Sequence, residues 1–162
     1  MSRKRSQKHV KKKKSIFLFD IDGTLAVGET LYDGTKELLE WIERKGGRSF
    51  YITNNSTKSR KDYVDKFARW GIEASEEQFM TASYAACLYM KEHYAGKKVF
   101  VLGTPSFVEE LKGFGVQVTE EAEQDVTCVL AGFDDTLQYE KLEKACNCCS
   151  GRKWISSEPI RI

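Results

Sequence analysis

The segment from Phe17 to Leu25 places the strongest constraint on the fold. It reads FLFDIDGTL, an apolar run that ends in two aspartates one residue apart and is followed by a glycine. Such a run is typical of a strand in a buried parallel sheet, and ligands bind at the carboxyl ends of these strands. Since successive side chains on a strand point to opposite faces, Asp20 and Asp22 face one ligand only if the strand ends between them. Gly23 supplies the permissive backbone for that turn.

Two carboxylates in this position suit phosphoryl chemistry. Asp20 is predicted to attack phosphorus and form an aspartyl-phosphate, while Asp22 protonates the leaving oxygen and later activates water. Carboxylates repel a phosphate dianion, so such a site needs a hard cation. The sequence therefore predicts Asp20 and Asp22 both as catalytic residues and as ligands of Mg²⁺.

A second apolar segment, Phe50 to Thr53, also ends in polar residues, with the sequence TNNS. A hydroxyl followed by backbone N–H groups and a helix N-terminus forms an anion-binding site. We expect Ser56 or Thr57 to cap the helix that follows. The residues predicted to bind the phosphorylated substrate are Gly23, Thr53, Asn54 and Asn55.

The two motifs together resemble those of phosphatases of the haloacid dehalogenase superfamily. The TNNS motif, the following helix and the segment from Met80 to Ser83 are similar to the NagD-like and para-nitrophenylphosphatase-like branch, class IIA. The resemblance implies an α/β fold with a Rossmann-like core and an inserted α/β cap. It also implies Mg²⁺ as cofactor, a small phosphorylated metabolite as substrate and a homo-oligomer formed through the cap.

Alternating strand and helix patterns extend along the chain and favour βαβ units with parallel sheets. We expect a basic tail at 1–14, the N-terminal part of the core at 15–80 and the cap at 81–162. The predicted core elements are strands Ile16–Phe19 and Ser49–Thr53 and helices Thr35–Lys45 and Lys58–Trp70. On the first of these helices, the residues expected to be buried are Leu38, Leu39, Trp41 and Ile42. The predicted cap elements are helices Tyr84–His93, Pro105–Gly113 and Gln138–Cys149 and strands Lys98–Leu102, Val116–Val118, Val126–Ala131 and Lys153–Ser156.

The lysine and Gly-Asp motifs that complete the site in this superfamily are expected downstream of the cap. We therefore expect a truncated phosphatase whose cap does not return to the core. In a compact alternative, Lys97 or Lys98 supplies the lysine, and Asp134 and Asp135 hold the cation. A phosphomutase and a non-enzymatic remnant that binds phosphate or nucleic acid are further alternatives.

Composition agrees with an ordinary soluble protein, since 41% of residues are hydrophobic and 31% are charged. No apolar run approaches the ~20 residues needed to span a bilayer, so no membrane association is expected. Five cysteines without a secretory signal fit a reducing compartment and predict a cytoplasmic location. The first fourteen residues hold eight basic and no acidic side chains, which favours a solvated tail over a nucleic-acid-binding arm.

Overall fold

The computed structural model describes residues 15–149 and 151–157, so the predicted basic tail lies outside the described residues. The strands are β1 Ile16–Asp20, β2 Ala26–Val27, β3 Thr30–Leu31, β4 Arg48–Thr53, β5 Phe79–Thr81, β6 Lys98–Leu102, β7 Gln117–Thr119, β8 Cys128–Ala131 and β9 Lys153–Ser156. The α-helices are α1 Thr35–Arg44, α2 Arg60–Arg69, α3 Ala82–His93, α4 Pro105–Gly113 and α5 Tyr139–Cys149. A 3₁₀ turn at Glu76–Gln78 precedes β5.

The first sheet contains three parallel strands in the order β1-β4-β5. One of its faces packs against α1 and α2 through a cluster of aromatic rings. Phe67, which is fully buried on α2, lies 4.5 Å from the ring of Tyr51 and 5.0 Å from that of Phe79, measured between centroids. Tilted and edge-to-face rings at these distances add favourable contacts to the burial of their area. This cluster anchors α2 on β4 and β5.

The opposite face of the same sheet is open to solvent over its apolar side chains. Leu18 on β1 is 65% exposed, and Ile52 and Met80 on the neighbouring strands are 43% and 45% exposed. These residues alternate with buried ones because side chains point to opposite faces of a sheet. The three-stranded sheet is therefore packed on one face only, within the residues that the structure describes.

The second sheet contains four parallel strands in the order β7-β6-β8-β9. Helices α3 and α4 pack on one face, and α5 packs on the other. The buried ring of Phe107 on α4 fits against two glycines at strand ends: a Cβ at Gly103 or Gly132 would lie 2.7 Å or 3.0 Å from that ring. The two parallel sheets with flanking helices confirm the predicted α/β fold class.

Two details of the packing were predicted wrongly. Leu38 and Trp41 were expected in the core with Leu39 and Ile42, but they are 43% and 47% exposed. A helix buries a stripe about 100° wide against a sheet, and Leu39 and Ile42 fill that stripe on α1. The hairpin formed by β2 and β3 was not predicted. No helix among residues 15–149 and 151–157 is long and apolar enough to cross a membrane.

Candidate active site

Polar residues end all three strands of the first sheet at the same edge. The β1 strand ends at Asp20, β4 at Thr53 and β5 at Thr81, and Thr53 lies in register with Thr81 on the adjacent strand. In a parallel sheet, the carboxyl ends of the strands meet where ligands bind. The structure therefore brings the first and second sequence motifs together at one edge.

The two aspartates are both exposed to solvent at this edge. Asp20 Oδ1 accepts a hydrogen bond of 2.9 Å from the Ile21 N–H, which fixes the orientation of its carboxylate. The chain then turns at Gly23, whose φ of +86° is readily accessible only to glycine. As predicted, β1 ends at Asp20 and the turn carries Asp22 out of the strand.

Thr53 is 3% exposed, and its hydroxyl is already in contact with protein groups. Its Oγ1 accepts a hydrogen bond from the Asn55 N–H at 3.1 Å, and the side chain is also hydrogen-bonded to Tyr63. Burial raises the pKa of Tyr63 to about 12, although the bond from Thr53 acts in the opposite direction. Tyr63 therefore remains a neutral phenol beside the two aspartates at physiological pH.

The loop after β4 is held in a fixed turn by Asn55. Its Oδ1 accepts hydrogen bonds from both the N–H and the hydroxyl of Thr57, each 2.8 Å long. Asn54, by contrast, is exposed at the strand end. Of the predicted substrate-binding residues, Gly23 and Asn54 are thus the more open to solvent, while Thr53 and Asn55 shape the loop.

Helix α2 begins later than the sequence predicted. Ser59, rather than Ser56 or Thr57, is the N-cap, and it forms a capping box with Asp62. The N–H of Arg60 donates to Glu110 Oε1 at 3.2 Å, and the N–H of Asp62 donates to the Ser59 hydroxyl at 3.2 Å. These N–H groups are satisfied by protein acceptors, so the exposed Asn54 at the end of β4 is the better candidate for binding an anion.

The second sheet and its helices hold this loop from the other side. The Thr104 hydroxyl donates to the Thr57 carbonyl at 2.8 Å, and the Ser83 hydroxyl donates to the Lys58 carbonyl at 3.1 Å. Ser56 accepts a 2.8 Å hydrogen bond from the N–H of Phe133, which follows β8. Residues from three separate elements thus fix the backbone next to the strand ends.

Asp62 joins α2 to α4 through a shared hydrogen-bond network. Its Oδ2 accepts hydrogen bonds from the N–H and hydroxyl of Ser59, each 2.8 Å long, and from the hydroxyl of Ser106. Burial alone would raise the pKa of Asp62, but these hydrogen bonds outweigh it and hold the pKa below its ordinary value of 3.8. Asp62 is therefore ionised at neutral pH and links the two sheets' helices.

The donor set suits Mg²⁺ in its chemistry. Asp20 and Asp22 are hard oxygen ligands, and Mg²⁺ commonly binds through one or two carboxylates together with water and phosphate oxygens. Among the described residues, no group of three or more His, Cys, Asp or Glu side chains is placed to hold a metal. The two aspartates thus fit a cation that shares its coordination with substrate and solvent.

The structure argues against the compact alternative. Asp134 and Asp135 follow β8, which belongs to the second sheet and not to the sheet that carries Asp20. Asp134 also forms an ion pair with Lys141 at 3.0 Å and accepts two hydrogen bonds from Thr136. Its carboxylate therefore stabilises a local turn.

The lysines that the compact alternative requires are also not at the strand end where the alternative needs them. Lys98 lies at the amino end of β6, where its ammonium pairs with Glu123 at 2.7 Å and with Asp125 at 2.8 Å. Lys97 precedes it, at the same end of the second sheet. Neither lysine is at the carboxyl end of a strand of the sheet that carries Asp20.

Two charged groups near this site were not predicted from the sequence, and one of them, Lys66, lies close enough to Asp22 for their charges to interact. Lys66 is 3% exposed on α2, and Glu29 projects from the unpredicted β2–β3 hairpin towards it. The available signal was the Gly28-Glu29 pair, which lies between two short segments of strand-forming residues and is typical of a two-residue hairpin turn.

Comparison with known proteins identifies relatives of this chain. Residues 17–117 match the family model described as haloacid dehalogenase-like hydrolase. The chain is 34% identical over 151 residues to phosphoglycolate phosphatase 1A, chloroplastic, of Arabidopsis thaliana, covering 82% of this chain and 42% of the relative. It is 37% identical over 154 residues to glycerol-3-phosphate phosphatase of Homo sapiens, covering 79% and 48%.

A solved structure of a phosphatase is also similar to this chain. The 4-nitrophenylphosphatase of Thermotoga maritima superimposes with a TM-score of 0.80 at 31% identity, over 90% of this chain and 55% of that one. The chain therefore spans about half the length of the proteins that it matches.

Proposed function

The chain belongs to the haloacid dehalogenase-like hydrolases, in the NagD-like branch, and we propose that it is a Mg²⁺-dependent phosphomonoesterase. The observation that carries the proposal is the placement of Asp20 and Thr53 at the ends of adjacent strands, with Asp22 in the turn that follows. Relatives are named phosphoglycolate phosphatase, glycerol-3-phosphate phosphatase and acid sugar phosphatase. We propose the same class of small phosphorylated metabolites as substrates.

Asp20 is the nucleophile in this proposal. Its Oδ1 is held by the Ile21 N–H at 2.9 Å, which leaves Oδ2 to attack phosphorus. The new O–P bond forms as the ester P–O bond breaks, giving an aspartyl-phosphate and an alkoxide leaving group. Attack by water on phosphorus then releases inorganic phosphate and restores the Asp20 carboxylate.

Asp22 transfers the protons in both steps. It donates a proton to the leaving oxygen in the first step and takes one from the attacking water in the second. Asp22 is exposed beside the turn at Gly23, so a leaving group can reach its carboxyl group from solvent. The loop at Thr53, Asn54 and Asn55 binds the phosphoryl oxygens.

The Asp20 carboxylate and the backbone carbonyl of Asp22 would hold Mg²⁺, which leaves the Asp22 carboxyl group free to carry a proton. When bound, the ion offsets the repulsion between the carboxylates and the phosphate dianion and polarises the phosphoryl group. Since one carboxylate and one backbone carbonyl hold such an ion weakly, we expect low Mg²⁺ affinity and slow turnover from the 162-residue chain.

The test is steady-state hydrolysis of para-nitrophenyl phosphate by the purified, monodisperse chain, with and without Mg²⁺. Asp20→Asn is expected to lower turnover at least about a hundredfold, a loss of about 3 kcal/mol in transition-state stabilisation. The matched control is Asp33→Asn, which makes the same substitution at an exposed loop position. Equal activity of the Asp20→Asn variant and the control would rule out Asp20 as the nucleophile.

A comparison of substrates tests the role of Asp22. Nitrophenolate is a good leaving group and needs little protonation, whereas the alkoxide of glycerol 3-phosphate needs a proton. Asp22→Asn should therefore slow the hydrolysis of glycerol 3-phosphate much more than that of para-nitrophenyl phosphate. The comparison uses kcat/KM, which reports the first step alone, because the second step is the same for both substrates and also uses Asp22. An equal loss of kcat/KM on both substrates would contradict the assignment of Asp22 as general acid.

A further inference from the structure

The turn that carries Asp22 is built into the β2–β3 hairpin. The backbone of Asp22 forms a bridge to Ala26, and the Gly23 N–H donates to the Ala26 carbonyl at 2.8 Å. The Tyr32 N–H returns across the hairpin to the Leu25 carbonyl at 2.9 Å. Since each strand has only two residues, the hairpin has little stability of its own. The position of Asp22 therefore depends on what holds the hairpin in place.

Glu29, at the tip of the β2–β3 hairpin, contacts helix α2 and the loop that precedes α2. Its carboxylate lies 3.1 Å from the Lys58 ammonium and 3.0 Å from the Arg69 guanidinium. The Trp70 indole N–H donates to the Glu29 carbonyl at 2.9 Å. Exposed ion pairs are individually weak, but here several partners from Lys58 to Trp70 converge on one residue.

Lys66 adds a buried cation to the same contact. Its ammonium lies 3.9 Å from Glu29 Oε1 and 5.0 Å from the centre of the Trp70 ring, and the residue is 3% exposed. Burial lowers the pKa of Lys66 and so does the nearby Lys58, whereas Asp22 and Glu29 raise it. The charge of Asp22 thus acts on the same buried ammonium that Glu29 contacts.

We propose that Glu29 is a positioning residue that clamps the β2–β3 hairpin onto α2 and thereby holds Asp22 in place. The inference rests on the proposed function, in which Asp22 transfers the protons. Without the Glu29 charge, the cations of Lys58, Lys66 and Arg69 repel one another and the hairpin loses its ionic contacts. Asp22 then samples positions away from the leaving group, although its own side chain is unchanged.

Hydrogen exchange of the full chain tests the clamp without any need for activity. In Glu29→Gln, we expect the amides of Gly23, Leu25 and Tyr32 to exchange about three- to tenfold faster, while amides in α2 keep their wild-type rates. Raising NaCl to 0.5 M should move the wild type towards the variant, because salt screens exposed charges. Glu29→Asp, which keeps the charge, should restore part of the protection.

The matched control is Glu109→Gln. Glu109 is an exposed glutamate that pairs with Lys112 at 2.7 Å on α4, away from the hairpin. Its variant should leave the exchange of the hairpin amides at the wild-type rate. Equal exchange in Glu29→Gln and the wild type would overturn the clamp.

Kinetics test the link to Asp22. Under the proposal, Glu29→Gln lowers kcat on glycerol 3-phosphate more than on para-nitrophenyl phosphate, leaves KM nearly unchanged, and is partly rescued by Glu29→Asp. Faster exchange with unaltered kcat on both substrates would overturn the positioning role. A wild-type chain without turnover would instead refute the proposed function, and the exchange result would then decide the clamp by itself.

Discussion

Replacement of Asp62 by alanine tests how the two sheets are joined. The substitution removes the reciprocal capping box with Ser59, which is worth about 1 kcal/mol. It also removes the charge-assisted hydrogen bond from Ser106 on α4, for which about 1–2 kcal/mol is appropriate at a half-buried site. We therefore expect Asp62→Ala to lower the free energy of unfolding by about 2–3 kcal/mol.

A double-mutant cycle with Ser106→Ala separates the two contributions. The serine variant should cost about 1–1.5 kcal/mol, and the pair should show a coupling of about 1 kcal/mol because both changes delete the same bond. The assay is urea unfolding followed by tryptophan fluorescence and far-ultraviolet circular dichroism. Asp65→Ala, on the exposed side of the same helix, is the matched control and should cost about 0.5 kcal/mol or less. Additive losses, with no coupling, would refute the argument that Asp62 links α2 to α4.

The same network predicts a sensitivity to acid. Because the pKa of Asp62 lies below 3.8 in the folded chain, its stabilisation is complete above the unfolded value. It is lost as the pH falls through the lowered pKa of the folded state. Stability of the wild type should therefore fall more steeply below about pH 4 than that of Asp62→Ala. Parallel pH profiles of unfolding for the two proteins would contradict this.

Three further predictions concern the sheet that carries Asp20. Thr53→Val should weaken vanadate binding by about 1–2 kcal/mol, because it removes the hydroxyl that accepts from Asn55 and contacts Tyr63. Titration calorimetry measures the affinity, with Thr119→Val as the control, and an unchanged affinity would show that Thr53 is only a turn residue. Phe67→Ala should lower the free energy of unfolding by about 3–5 kcal/mol, because the ring is fully buried among other aromatic rings. In the same urea-unfolding assay, the control Leu38→Ala, at an exposed site, should lower it by less than about 1 kcal/mol. Leu18→Thr with Ile52→Thr should reduce self-association in sedimentation velocity, because both side chains lie on the open face of the sheet; an unaltered distribution would show that this face does not drive association.

Local patterns in the sequence were sufficient to predict where the strands of the site end. The apolar runs before Asp20 and Thr53 stop at those residues, and Gly23 marks the turn in both sequence and structure. The end of a strand is determined largely by residues adjacent in the sequence, and the ends of β1 and β4 could therefore be predicted from local patterns. The parallel arrangement followed from the alternation of strands and helices.

Features decided by distant contacts could not be predicted in this way. Three hydroxyl side chains precede α2, and Ser59 is the one that caps the helix. Ser56 is hydrogen-bonded to Phe133 instead, and Thr57 is hydrogen-bonded to Asn55. The apolar residues of α1 cover more than one face, and only the packed sheet determines that Leu39 is buried and Leu38 is not. The acids after β8 matched a cation site in sequence, but they follow a strand of the other sheet, and Asp134 is paired with Lys141.

The two glycines beside Phe107 limit how this region can diversify. A Cβ at Gly132 would lie 3.0 Å from the Phe107 ring and 3.2 Å from the Ser56 hydroxyl, so the second sheet approaches the loop after β4 through a position that has no side chain. Single substitutions at Gly103 or Gly132 cannot introduce a new group there without displacing the ring. Side chains that vary at this contact between related chains are therefore expected in the loop that follows Phe133, and not at the two glycines.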